Sequence, residues 1–100
     1  MTERETVRPL EVDLPLPGQE LVEVGLRELA AGLETVPALL VASFSSRLRG
    51  LGIPVPPHSI PGPELRLYLL LARTRADAHH HYNGLVQRMV SFAQAVECTR

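Results

Sequence analysis

Apolar residues recur at helical spacing in three stretches of the chain. The first is predicted over residues 18–31, where Val22, Leu26 and Leu29 continue to Leu33 at intervals of four, three and four. That spacing lays one apolar stripe along a helix. Gln19, Glu20 and Glu23 put polar and negative groups in its first turns, where the helix dipole favours them. Gly32 is a natural stop. A second helix is predicted over residues 35–49. Thr35 suits its N-cap, because Pro37 is tolerated in a first turn but not in a helix interior. It would carry Val36, Leu39, Leu40, Phe44 and Leu48, and end at Gly50. One helix from 18 to 49, kinked at Pro37, is the alternative.

The third stretch dominates the sequence. Pro63 and Glu64 open it in the manner of a helix N-terminus. From there to residue 97 a single heptad register holds, with Tyr68, Arg75, Tyr82, Met89 and Val96 in one row and Leu71, Ala78, Leu85 and Phe92 in the other. Leu65 to Ala72 is apolar on nearly every face except at Arg66, which predicts burial on several sides. Gly84 costs about 1 kcal/mol in a helix interior and predicts a kink or a close helix contact. A continuous helix over 64–97 would extend ~50 Å, more than the two preceding helices cover. The pattern therefore predicts an all-α bundle of three or four helices that pairs with a copy of itself or with a separately encoded protein. The expected interface comprises Tyr68, Leu71, Arg75, His79, Tyr82, Leu85, Met89 and Phe92. In it Arg75, His79, Tyr82 and Asn83 would form a polar patch that fixes register between helices, a known use of polar groups in an apolar seam.

Two segments interrupt the helical pattern. Residues 51–63 contain Pro54, Pro56, Pro57, Pro61 and Pro63, a density that neither a helix nor a strand ladder survives. This is read as a stiff connector tied down by Leu51, Ile53, Val55 and Ile60. Residues 1–17 are polar, then punctuated by Pro9, Pro15 and Pro17, with Leu10, Val12 and Leu14 alternating with acidic residues. An extended arm ahead of one helical domain over 18–100 is expected there.

Composition narrows the classes. One hundred residues fit a single small domain, and 45% apolar content is ordinary for a folded chain. With 4% aromatic residues and no tryptophan, the core rests on Leu, Val and Ala, a mixture that favours helix packing. The formal net charge of −1 argues against a generic nucleic-acid binder. Charge is nevertheless uneven, from eight acidic and three basic residues in 1–34 to three acidic and seven basic in 35–100. All ten basic residues are arginine, for which a GC-rich coding sequence is the simplest cause. Cys98 is the only cysteine, which excludes an intrachain disulfide and a cysteine-rich metal site. No run approaches the ~20 apolar residues of a membrane span, and the charged opening Thr2-Glu-Arg-Glu5 is unlike a signal peptide. A cytoplasmic location and no membrane association are expected.

Three consecutive histidines, His79, His80 and His81, raise the question of metal. Adjacent helical residues point about 100° apart, so the three cannot converge on one ion. Asp77 with His81, or His79 with Asn83, gives only two ligands, and further ones from His58 or a symmetry mate would be needed. No metal and no cofactor are expected. A different chemistry comes from Arg75, His80 and Tyr82, which spell Arg-x4-His-x-Tyr. The segment resembles the signature of HEPN-type ribonucleases, such as the toxins paired with minimal nucleotidyltransferases. The resemblance covers Arg75 to Tyr82 and implies metal-independent RNA cleavage across a dimer, with Arg75, His80 and Tyr82 as catalytic residues. In that scheme the imidazole moves a proton and the guanidinium stabilises charge on the phosphate. In a regular helix Arg75 shares a face with His79 rather than His80. The interaction module remains the leading expectation and the ribonuclease the alternative; only the latter involves nucleic acid.

Overall fold

The structure, a computed structural model, describes residues 16–99. Five helices lie in this span: α1 (Gln19–Ala30), α2 (Val36–Ser43), α3 (Ser45–Gly50), α4 (Pro63–Thr74) and α5 (Ala78–Thr99). No strand occurs among the described residues, so the fold class is all-α with a long C-terminal helix. The expected arm falls mostly on residues 1–15, which lie outside the described residues.

Local chemistry sets the first boundaries. Gly32 adopts a φ of 80°, and the Gly32 and Leu33 amides donate to the Leu29 and Glu28 carbonyls. This paired closure ends α1 and needs the left-handed conformation that glycine adopts without strain. Thr35 then caps α2: its hydroxyl oxygen accepts from the Ala38 amide at 3.3 Å and its hydroxyl donates to the Glu28 carboxylate. Pro37 sits in the first turn of α2, where its missing N–H leaves no bond unmade. The second predicted helix is divided at Phe44, whose backbone leaves helical geometry. Ser43 and Ser45 hydroxyls donate to the Leu40 and Ala42 carbonyls, each at 2.8 Å. Such back-bonding competes with the helical ladder and bends it.

Packing centres on α2. Ala38, Leu39, Leu40, Val41 and Ala42 are all buried in succession, so α2 has no solvent face and is covered by α1 on one side and α4 on another. Gly25 permits the close approach of α1. A methyl group placed there would overlap the Pro37 carbonyl oxygen and lie 2.5 Å from Val41 Cγ2. The proline-rich connector is held by Val55, which is buried, and by Arg49, whose guanidinium donates to the Val55 and Pro56 carbonyls at 3.1 and 3.4 Å.

The expected helix over 64–97 is two helices, and the correction changes the topology. Arg75 is extended (φ −138°, ψ 136°) and ends α4; α5 begins at Ala78. Tyr68 and Tyr82 would stand about 21 Å apart along a continuous helix. Their ring centroids are 5.6 Å apart, so the chain turns back on itself. The reason is coverage: a straight helix would leave Leu85, Met89 and Phe92 in water, whereas the return buries all three in the same core as Val22, Leu29, Leu40 and Leu67. The far part of α5 runs beneath the start of α1, close enough that a methyl added at Gly18 would lie 2.8 Å from the Arg88 carbonyl oxygen.

Candidate functional site

The turn between α4 and α5 carries most of the polar residues singled out in the sequence. Arg75 is exposed, and its Nε donates to Asp77 Oδ1 at 3.1 Å. That hydrogen bond, against an opposing effect of desolvation and with help from the charge of the guanidinium, holds the Asp77 carboxyl below its ordinary value of 3.8. Within this chain Arg75 is therefore an exposed charge paired with its near neighbour Asp77, not a buried one. Glu97 instead faces Arg47 of α3 at 3.5 Å, with both side chains exposed.

The histidines fan out around the start of α5. His79 packs edge-on to Tyr68, with centroids 6.5 Å apart, and its Nε2 lies 3.3 Å from Asn83 Nδ2. Tyr68 and Tyr82 are half-buried and meet edge to face. His80 is exposed and His81 half-buried, both turned toward a shallow groove with Gly84, Leu85 and Arg88. Arg75 thus stands in the turn before the helix that carries His80 and Tyr82, with its guanidinium committed to Asp77. No group of three metal-ligating side chains occurs among the described residues.

Of the interface expected from the heptad pattern, Leu71, Leu85, Met89 and Phe92 are buried within the single chain. Their apolar surface is already covered and is not available to a partner. The same heptad that promised an open seam describes an internal one. Arg75, His79, Tyr68 and Tyr82 remain at the surface or half-buried.

A different surface is uncovered, and it lies on α4. Leu67 and Leu71 face the core, but Leu65 and Leu69 on the opposite side of the helix are 61% and 53% exposed. Leu65, Leu69 and Ala72 fall at i, i+4 and i+7 and so share one outward stripe. Leu33, 48% exposed in the α1–α2 loop, is the third large exposed hydrophobic among the described residues. Sequence reasoning took the all-round apolar character of Leu65 to Ala72 as burial on several sides. Among the described residues only one side is covered. Beside the stripe runs a groove of about 330 Å³ lined by Leu39, Leu69 and Leu70, with Glu34, Arg66 and Arg73 at its rim. Arg66 Nη1 pairs with Glu34 Oε1 at 3.2 Å, which ties the α1–α2 loop to α4 and fixes one wall.

No helix among the described residues is long and apolar enough to cross a membrane. The chain matches no known family model, no curated protein and no solved structure.

Proposed function

We propose that the protein is a helical protein–protein interaction module whose docking surface is the outward face of α4, and that its occupant is an apolar helix of another protein chain. The observation that carries this reading is the exposure of Leu65 and Leu69 opposite a fully packed inner face. A helix that is apolar all round is ordinarily buried all round, and adjoining exposed leucines are a recurrent mark of protein contact sites. Leu67 and Leu71 anchor α4 from beneath, and the Arg66–Glu34 pair braces its flank. A groove beside a leucine stripe also suits helix-in-groove recognition, in which side chains at i, i+3 or i+4 and i+7 do the anchoring.

The test compares the wild-type chain with the Leu65→Glu/Leu69→Glu variant. Both positions are exposed and glutamate is a good helix former, so circular dichroism should be unchanged. Affinity purification from the cells that make the protein should recover a chain in fixed stoichiometry with the wild type and lose it with the variant. Recovery that is indifferent to the two glutamates, or a wild-type chain recovered alone, refutes the reading.

A further inference from the structure

A second apolar groove, with no wall from α4, lies between α1, the proline-rich connector and the end of α5. Its volume is about 350 Å³. Val22 and Phe92 are its buried floor, and Leu16, Leu26, Ile53 and Val96 are its half-buried walls. Gln19 and Glu23 stand at one edge, where Gln19 Nε2 donates to Glu23 Oε2 at 3.1 Å. We infer that the occupant of this groove is the chain's own N-terminal segment, with Val12 and Leu14 seated in it. Leu16, the first described residue, is itself one of the walls, so the segment ahead of it starts from inside the groove. Its entry is pinned. The Leu16 amide donates to Gln19 Oε1 at 2.9 Å, and the Gln19 amide donates to the Leu16 carbonyl at 3.0 Å. Gly18, at a φ of 75°, turns the chain into α1 so close to α5 that an added Cβ would lie 3.4 Å from Phe92 Cβ, at the groove floor.

The sequence supplies the matching surface. Leu10, Val12, Leu14 and Leu16 alternate with Glu11, Asp13 and Pro15. Alternate side chains of an extended chain share a face, so Leu16 sets the register. Val12 and Leu14 follow it onto the apolar side, and Glu11 and Asp13 fall on the side facing water. Leu14 and Leu16 each precede a proline, which steers their backbones toward the extended region. Part of the ordering cost of docking is therefore met in advance. A dry apolar cavity of about 150 Å³ accepts a benzene-sized group, so the groove has room for two side chains of that order. Leu14 and Val12 are the first two that the register delivers. The tether also selects this occupant over a second copy or a foreign peptide. Leu14 is two residues from a wall of the groove, and a short tether gives an effective concentration of about a millimolar.

Methyl–methyl nuclear Overhauser contacts in the full chain test this. Val12 and Leu14 are expected to show contacts to Leu26, Ile53 and Val96. In an equal mixture of isotope-labelled and unlabelled chains, no such contact should pass from one chain to another. Val12→Asp/Leu14→Asp should abolish the contacts and shift the Leu26, Ile53 and Val96 methyl signals, while those of Leu65 and Leu69 stay in place. Contacts that pass between chains in the mixture put a second copy in the groove and overturn the inference. Groove methyls that contact neither Val12 nor Leu14 leave the groove to some other occupant and also overturn it. So do groove signals indifferent to the two aspartates, or contacts from Val12 and Leu14 to Leu65 and Leu69 instead.

Discussion

Two glycines in helix interiors give the sharpest test of the packing, because one substitution should act with opposite sign at the two. Glycine to alanine gains about 1 kcal/mol of intrinsic helix propensity at either position. At Gly84 nothing lies within 4 Å of the added methyl, so the gain should appear almost whole. At Gly25 the methyl would overlap the Pro37 carbonyl oxygen and sit 2.5 Å from Val41 Cγ2 and 3.0 Å from the Pro37 carbonyl carbon. Backbone atoms of a helix buried on all sides cannot rotate aside. Overpacking of this kind costs typically 1–3 kcal/mol, and the upper part of that range applies, leaving a net loss of about 1–2 kcal/mol. For a domain of this size each 1 kcal/mol moves the midpoint by roughly 4–8 °C. Thermal unfolding followed by circular dichroism should therefore place Gly84→Ala above the wild type and Gly25→Ala below it. A Gly25→Ala midpoint at or above the wild-type value would refute the close approach of α1 and α2.

Other consequences are specific to single residues. Asp77 should titrate below 3.8; because its folded-state value is depressed, any stabilisation is complete above 3.8 and is lost as pH falls through the lower folded-state value. Arg75→Leu should move the Asp77 midpoint, read from carboxyl chemical shifts, back up toward 3.8, and an unmoved midpoint would show that the pair is not formed in solution. Thr35→Ala removes the α2 cap and the Glu28 contact, and should cost about 1 kcal/mol in urea denaturation; no change would mean that the cap is idle. Met89, fully buried between helices, should cost 2–5 kcal/mol on replacement by alanine, whereas a value under ~1 kcal/mol would place it near the surface.

The amphipathic start of the fold was open to sequence reasoning because its signals are local. A stripe at Val22, Leu26 and Leu29, a glycine stop and the Thr35-x-Pro37 start all act within a turn of the residues that carry them. The division of the last third was hidden for a physical reason. Leu71, Ala78, Leu85 and Phe92 are all buried, so the heptad correctly lists inward-facing residues on both sides of the turn at Arg75, and periodicity alone does not distinguish a straight helix from a folded one. The one local hint is Asp77, a residue type favoured at N-caps, standing directly before Ala78. The exposed face of α4 was visible as the apolar run Leu65 to Ala72, but its meaning depends on how many neighbours the chain supplies. That number is a property of the tertiary structure. Arg73 and Glu34, thirty-nine positions apart in sequence, become rim neighbours only once the α1–α2 loop is set against α4.

The central claim is that another protein covers Leu65 and Leu69, and a photo-crosslinking amino acid placed at Leu69 tests it most directly. The control is the same group at Gln94, an exposed position on α5. Irradiation in the cells that make the protein should give a discrete adduct to a second polypeptide from position 69 and none from position 94. Position 69 yielding no adduct, or both positions yielding the same one, would contradict the assignment of α4 as the docking face.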